Sequence, residues 1–426
     1  MAATMELSIS MRRGALAPLL LCSLLSTLWT TPTMAQAPTS RVEEIEQARR
    51  EKMARLWPER ESPLVAKVNR LVERGLGTGI ETGKGVNGPH FVLGGMRSGQ
   101  GMTFGLGYRR ADIWHERFDF RTTARMTPQL AYMFDAKLDF NSLRSARSFG
   151  NLYLKFENSP KMDYYGQGPD SSESDRSSYL LEDLALDANV GFTVLRGLRL
   201  GLTAGGVSVH TGPGKRGGVP TTQDLFPIED LPGLEADTDY VRWGGFVALD
   251  RRDNRYGPRS GFIAALRHRK YSDVTRHQYS FRQADFEYQQ YIPYFNKSRV
   301  IALRLAAALA YSYNEDAIPI YFQPTLGGND NLRAYARYRF HDNHLIFASL
   351  EHRWYVFSGL DMAVFADAGK VAASRSELGL SDLRYGGGIG FRFKFKNATI
   401  MRIDFAAGDE GFRAMWTFSD AFKVDY

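Results

Sequence analysis

The chain is 426 residues long, 43% of them hydrophobic and 13% aromatic, and 54 basic against 47 acidic residues give a net charge of +7. This mild charge is spread along the chain, so it gives no reason to expect a nucleic-acid partner. After residue 37 no stretch approaches the roughly 18 consecutive apolar residues of a membrane-spanning helix, so a helical membrane protein is not expected.

The N-terminus has the pattern of a secretory signal peptide. Arg12 and Arg13 precede an apolar run, and the small-residue sequence Ala-Gln-Ala follows at 35–37. We therefore predict a signal peptide over residues 1–37 and an exported protein. Cys22, the single cysteine, lies inside this segment. The exported part is thus expected to have no disulfide, and we predict neither a metal site nor a cofactor.

Residues 38–88 are predicted to form a short helical extension, periplasmic or lumenal. Leu64, Val68 and Leu71 recur at helical spacing. The helix predicted at 63–74 would plug the interior of the domain that follows, cover its periplasmic mouth, or lie on a membrane surface.

From residue 89 to residue 426 the hydrophobic period changes to 2. A typical segment places Phe118 and Phe120 on one face and Asp119 and Arg121 on the other. Sixteen such segments are centred near residues 93, 106, 121, 134, 152, 185, 204, 245, 267, 285, 305, 350, 365, 390, 403 and 415.

An even number of strands with charged side chains on one face and aromatic side chains on the other is typical of a membrane barrel with an aqueous interior. We predict an all-β fold, a transmembrane 16-stranded antiparallel β-barrel, in the outer membrane of a Gram-negative-type bacterium. Long connections follow odd-numbered strands and tight turns follow even-numbered ones, with short exceptions near 127–129 and 407–411. The long loops should therefore share the rim that faces the cell exterior.

One long loop contains the sequence NLRAYARYRF at 331–340, in which Arg333 stands between apolar and aromatic residues. Strand alternation directs Glu351 towards the barrel interior, and on the next strand it does the same for Phe365 and Asp367. Two carboxylates on adjacent strands can receive a guanidinium. We predict that the loop folds inward and that Arg333 pairs with both of them.

These residues resemble a known family. The LRAY sequence, with Arg333 and Tyr335, and the Phe365-x-Asp367-x-Gly369 strand are similar to motifs of the BamA/TamA superfamily, also called the bacterial surface antigen family. The resemblance implies a sixth external loop with an Arg-Gly-Phe/Tyr tip that locks against that strand inside a 16-stranded barrel. The chain departs from the family in having Ala334 at the glycine position. A left-handed backbone at that tip would be costly for alanine.

A second similarity lies in the sequence DRRDNRYGPRSG, which resembles the family's periplasmic turn between strands eight and nine. Its motif residues are Asp250, Arg252, Asp253, Pro258 and Gly261. Family members that assemble proteins carry POTRA modules of about 75 residues each, and the extension predicted at 38–88 is too short for one.

The predicted seam joins the first strand, which contains Gly94 and Gly95, to the last strand, which contains Phe412 and Trp416. Glycines offer few side chains to pack, so this pairing should be weak. In the family, such a seam is where client strands are thought to enter the bilayer. The alternative is that the glycines only permit a tight bend.

Enzymatic patterns are absent or misplaced, so we predict that the protein is not an enzyme. The predicted function is that of an insertase or translocase barrel, in assembly or transport of protein or lipid at the outer membrane. Its expected partners are outer-membrane lipid and either unfolded barrel clients or a separate periplasmic protein. The alternative is a passive small-solute pore gated by the inward-folded sixth external loop.

Overall fold

The structure is a computed structural model that describes residues 45, 87–113, 117–141, 147–313, 316–357, 359–395, 398–418 and 422. All structural statements below concern these residues. The predicted signal peptide over 1–37 lies outside them, as does the predicted extension over 38–88 apart from Ile45 and residues 87–88. None of the described helices is both long and apolar enough to cross a membrane.

Sixteen antiparallel strands form a single sheet in chain order, and each is hydrogen-bonded to the next. They are β1 Gly88–Leu93, β2 Phe104–Ile113, β3 Phe118–Met126, β4 Tyr132–Asn141, β5 Ser148–Tyr164, β6 Ser177–Leu195, β7 Leu198–Pro213, β8 Thr238–Asp250, β9 Gly261–Asp273, β10 Phe281–Tyr294, β11 Arg299–Ser312, β14 His344–Phe357, β15 Leu360–Ala372, β16 Arg384–Phe395, β17 Ala398–Gly408 and β18 Gly411–Thr417.

Each of the sixteen predicted centres falls inside one of these strands, so the predicted all-β, 16-stranded fold is confirmed. Two further strands, β12 (Thr325–Leu326) and β13 (Phe340–His341), pair with each other between β11 and β14. A one-turn helix, α1 (Thr222–Leu225), lies between β7 and β8. The sequence pattern predicted neither of these small elements.

Burial along the strands follows the alternation. In β15 the side chains of Asp361, Phe365 and Asp367 are buried, whereas Ala366 between them is exposed. On neighbouring β14, Leu350 is 50% exposed while Glu351 is 0% exposed. Apolar residues outside and charged residues inside are the reverse of a soluble protein, and they are the arrangement of a membrane barrel.

Residues from the strands and from the long loops fill the barrel interior at the end where the long loops lie. A cluster of buried apolar residues includes Tyr164, Leu231, Phe281 and Ile320, which come from strands and from two long loops. Arg339, between β12 and β13, reaches the β5–β6 loop by donating to the Ser171 carbonyl oxygen at 2.6 Å. The loops are therefore packed together over the interior.

At the opposite end, the β8–β9 turn extends beneath the barrel towards distant strands. The Thr399 amide, in β17, donates to the Tyr256 carbonyl oxygen at 3.2 Å. Arg259 donates to both carboxylate oxygens of Asp361, in β15, at 2.8 and 3.0 Å. Because β15 and β17 are separated from β9 by several strands of the sheet, the turn spans much of this mouth.

The two edges of the sheet lie next to each other. A Cβ atom added at Gly94, directly after β1, would lie 3.2 Å from the Phe418 Cβ, directly after β18. The described parts of these two strands form no backbone ladder with each other. The prediction that Gly94 and Gly95 belong to the first strand is wrong: their φ values of +76° and +87° are in the left-handed region, which ends the strand at Leu93.

Candidate functional site: an arginine lock in the barrel wall

The sixth long loop, described at residue 313 and over residues 316–343, places its tip in the barrel interior. Leu332 and Tyr335 are fully buried, and the Tyr335 amide donates to the Leu332 carbonyl oxygen at 3.2 Å, which closes a tight turn. The Asn331 side chain stabilises the loop before the turn by accepting from the Gly327 amide at 2.8 Å. Because Leu332 and Tyr335 are buried, Arg333, which lies between them in the chain, is also placed in the barrel interior.

Arg333 is bound by both predicted carboxylates. Its Nε and Nη2 donate to the two oxygens of Asp367, each at 2.7 Å, and its Nη1 donates to Glu351. Ser349 accepts from Arg333 Nη2 at 3.0 Å and donates to Asp367 at 2.7 Å. The guanidinium is 2% exposed. This geometry agrees with the predicted pairing, a planar fork facing a carboxylate.

The electrostatics of the site favour the ion pair. Burial by itself lowers the pKa of Arg333, but the negative charges of Asp367 and Glu351 outweigh burial and hold that pKa above its usual value. Arg333 therefore remains charged at any physiological pH. A charged group so deeply buried is tolerated only because it is paired and hydrogen-bonded.

Three further arginines extend the network. Arg353 and Arg392 donate to Glu351 at 2.6 and 2.9 Å. Arg392 also donates to Asp404 at 2.6 Å, and Arg402 lies 2.8 Å from that same carboxylate. We call these four arginines, with Glu351, Asp367 and Asp404, the arginine lock.

The roles of Arg392, Arg402 and Asp404 were not predicted from the sequence. Alternation does place their side chains on the charged face, but it does not show which residues on neighbouring strands lie opposite one another. The register decides this, pairing Gly390 with Asp404, so that Arg392 reaches carboxylates on both sides.

Ala334 corrects the expectation of a strained tip. It is not among the described residues with positive φ, so alanine fits this backbone. Its methyl group is 1% exposed and packs against Gly386 and Gly408. A Cβ added at Gly408 would lie 2.8 Å from the Ala334 Cβ. Glycines on the wall thus provide the space that the alanine occupies.

The other predicted lock residues surround the arginine. The guanidinium carbon of Arg333 lies 3.5 Å from the centre of the Phe365 ring, a cation–π contact. Tyr335 donates from its hydroxyl to the Tyr385 carbonyl oxygen at 3.3 Å. A Cβ added at Gly369 would lie 3.1 Å from the Leu326 side chain, so this glycine makes room for β12.

The predicted turn motif lies where it was expected, between β8 and β9. Arg252 donates to both carboxylate oxygens of Asp250, at 2.9 and 2.7 Å. Asp253 accepts from the backbone amides of Arg259 and Ser260 at 2.9 and 3.1 Å. Pro258 is buried, and Gly261 begins β9 with φ of +94°. These contacts hold the turn in the shape that brings Arg259 to Asp361.

The sixth loop also touches both sides of the seam. The Asn329 side chain donates to the Trp416 carbonyl oxygen in β18 at 3.3 Å. The Ser98 hydroxyl, in the loop after β1, donates to Asp330 at 3.4 Å. Trp416 and Phe412 themselves point outward, with 41% and 46% of their surface exposed. Arg402 donates to the Asn329 carbonyl oxygen, which connects the arginine lock to this contact.

The family model of the Omp85 superfamily domain matches residues 97–413, about three quarters of the chain. The chain belongs to the Omp85 superfamily. Omp85 barrels are bacterial outer-membrane proteins, and the predicted resemblance to BamA is confirmed at the level of the family. No curated protein matches the sequence.

Among solved structures, this Omp85 barrel is similar to BamA from Haemophilus ducreyi lacking POTRA domains 1–3. The TM-score is 0.57 and the identity 14%, over 78% of this chain and 71% of that one. CdiB from Acinetobacter baumannii matches with a TM-score of 0.45 and 12% identity, over 79% of this chain and 57% of that one. At such low identity the BamA likeness shows the fold alone.

Proposed function

We propose that this Omp85 barrel acts as an insertase or translocase that passes protein or lipid clients into or across the outer membrane through the seam between β1 and β18. The observation that carries the proposal is the shortness of the seam. Its strands have six and seven residues, whereas β5 and β6 have 17 and 19. The described residues form no ladder between them.

Edge strands have the unpaired backbone groups that an insertase or translocase role requires. An edge presents a row of backbone amides and carbonyls that can pair with an incoming strand. Inside a bilayer each unpaired backbone group costs several kcal/mol, so an extended client segment is favoured at an open edge. A seam that opens therefore offers a template to a client.

The filled interior supports this role over a passive pore. Loops pack together at one end, and the β8–β9 turn spans much of the other, where Arg259 pairs with Asp361. Small solutes would need both coverings to move, whereas lateral opening at the seam requires the sixth loop to release one edge, at Trp416 or at Ser98, and can leave the β8–β9 turn in place.

The proposal is tested by closing the seam covalently. The Cβ position at Gly94 lies 3.2 Å from the Phe418 Cβ, close to the roughly 3.5–4.5 Å that a disulfide requires. We expect Gly94→Cys/Phe418→Cys to form a disulfide. Proteoliposomes with this variant should no longer accelerate folding of an added, unfolded outer-membrane barrel or transfer of labelled lipid, and dithiothreitol should restore the activity.

The two single-cysteine variants are the matched controls, because they include any strain at Gly94 but cannot cross-link. Full activity of the oxidised double variant would refute passage through the seam. Conductance in planar bilayers tests the pore. Large, stable, ion-selective openings that persist in the oxidised variant would favour the pore instead.

A further inference from the structure

Four side chains form a patch on the outer surface of the barrel, at the end of the strands that carries the short turns. Arg299 begins β11 and lies opposite Tyr294 of β10 on one side and Trp354 of β14 on the other. His352 lies two residues from Trp354 on the same face. We call Tyr294, Arg299, His352 and Trp354 the ring patch.

The rings contact one another. Tyr294 and His352 stack with their centres 5.7 Å apart and an angle of 21° between the planes, and the Tyr294 hydroxyl is hydrogen-bonded to His352 Nε2. The centres of the His352 and Trp354 rings are 5.5 Å apart. The patch is therefore a continuous surface of three rings with Arg299 beside it.

The patch lies at the boundary of the apolar band. The next outward residues along the strands, Ile292 and Ile301, are 52% and 39% exposed. In the other direction the chain reaches the β10–β11 turn at 295–298. In an outer-membrane barrel, tight turns face the periplasm and aromatic residues mark the interface between hydrocarbon and headgroups. The ring patch is thus level with lipid headgroups.

Arg299 differs from the arginines of the interior in its partners. Arg242 and Arg304, for example, donate to carboxylates at 2.6 and 2.7 Å. Arg299 is exposed, and it takes part in none of the ion pairs found among the described residues. Its contact is with the Phe295 ring, 5.0 Å away. A ring contact leaves the N–H groups at the guanidinium edge able to bind an oxyanion.

We propose that the ring patch binds the phosphate of an anionic phospholipid in the periplasm-facing leaflet. Arg299 donates to the phosphate oxygens, and the Tyr294–His352 pair provides polar groups beside them. The acyl chains lie along Ile292 and Ile301. This inference needs only a barrel in a membrane and is independent of the function proposed for the seam.

The test is lipid retention by the purified full chain in micelles of zwitterionic detergent. Phosphatidylglycerol or phosphatidylcholine is added, and bound lipid is counted by native mass spectrometry. We expect the folded protein to retain phosphatidylglycerol preferentially, and Arg299→Gln to reduce that preference about five-fold, as expected for loss of one interfacial cation. Excess inorganic phosphate should not displace the lipid, because its chains also bind.

Arg196→Gln is the matched control, since Arg196 is an exposed arginine in the β6–β7 turn on the same rim. Arg299→Lys keeps the charge and should retain most of the preference. Heat-modifiable gel migration verifies that each variant is folded. Equal losses in Arg299→Gln and Arg196→Gln, or equal retention of the two lipids by the unmodified protein, would overturn the site.

Discussion

The arginine lock and the seam lie within a few strands of each other and are built in opposite ways. In the lock, strands β14 and β15 run for 14 and 13 residues, and Arg333 of the sixth loop pairs with a buried carboxylate on each of them. At the seam, strands of six and seven residues meet without a described ladder. A wall stabilised by ion pairs can keep its shape while the neighbouring edge opens, because the two regions depend on different interactions.

The substitution expected to destabilise the arginine lock most is Arg333→Ala. Removing Arg333 leaves buried Asp367 without its arginine, whereas Glu351 keeps Arg353 and Arg392, and loss of one member of a buried ion pair typically costs about 3–5 kcal/mol. We expect the temperature at which the barrel loses its compact migration on a semi-native gel to fall clearly. Arg269→Ala is the control, because its ion pair with Asp285 is longer, at 3.5 Å, and a quarter of the Arg269 side chain is exposed. An unchanged transition in Arg333→Ala would contradict the lock.

Low pH should destabilise the loops that cover the long-loop end of the barrel. Burial lowers the pKa of His341, in the sixth loop, to about 4, whereas an unfolded imidazole titrates near about 6.5. Between these values the unfolded state binds more protons, so stability that is present above pH 6.5 is lost as the pH falls towards 4.

The full loss corresponds to about 3 kcal/mol. Thermal unfolding between pH 7 and pH 4 measures it, and His341→Gln should flatten the dependence while leaving neighbouring Asp342 in place. Parallel curves for the two proteins would show that other groups cause the acid response.

A larger residue in the barrel wall beside the loop tip should destabilise the arginine lock without changing any of its charged residues. A Cβ added at Gly386 would overlap the Ala334 methyl group, and overpacking typically costs about 1–3 kcal/mol. We expect Gly386→Ala to lower the melting temperature and to expose the sixth loop to protease. Gly206→Ala is the control, because its added Cβ would meet nothing closer than 3.6 Å. Equal behaviour of the two variants would show that the tip tolerates displacement.

The smallest expected effect concerns the contact between the two regions. Asn329→Ala removes the hydrogen bond to the Trp416 carbonyl oxygen, which is worth about 1 kcal/mol. Hydrogen exchange of the β18 amides should accelerate while exchange in β15 stays the same. Acceleration in both strands would mean that lock and seam are one cooperative unit.

The strands and much of the arginine lock could be predicted from the sequence. Alternation places Glu351 and Asp367 inward, and both contact Arg333 as predicted. Side-chain direction along a strand is a local property of the pleated backbone, with a period of two residues, so it can be obtained from one chain segment at a time.

The partners of Arg392 and the fit of Ala334 could not be predicted, because they depend on how several strands align. Arg392 reaches Glu351 and Asp404 because of the register of four strands, β14 to β17, and Ala334 fits because Gly386 and Gly408 come together from β16 and β17. The Tyr256–Thr399 contact joins segments that are far apart in the sheet. Register and barrel curvature arise from the packing of all strands together, and no single segment contains that information.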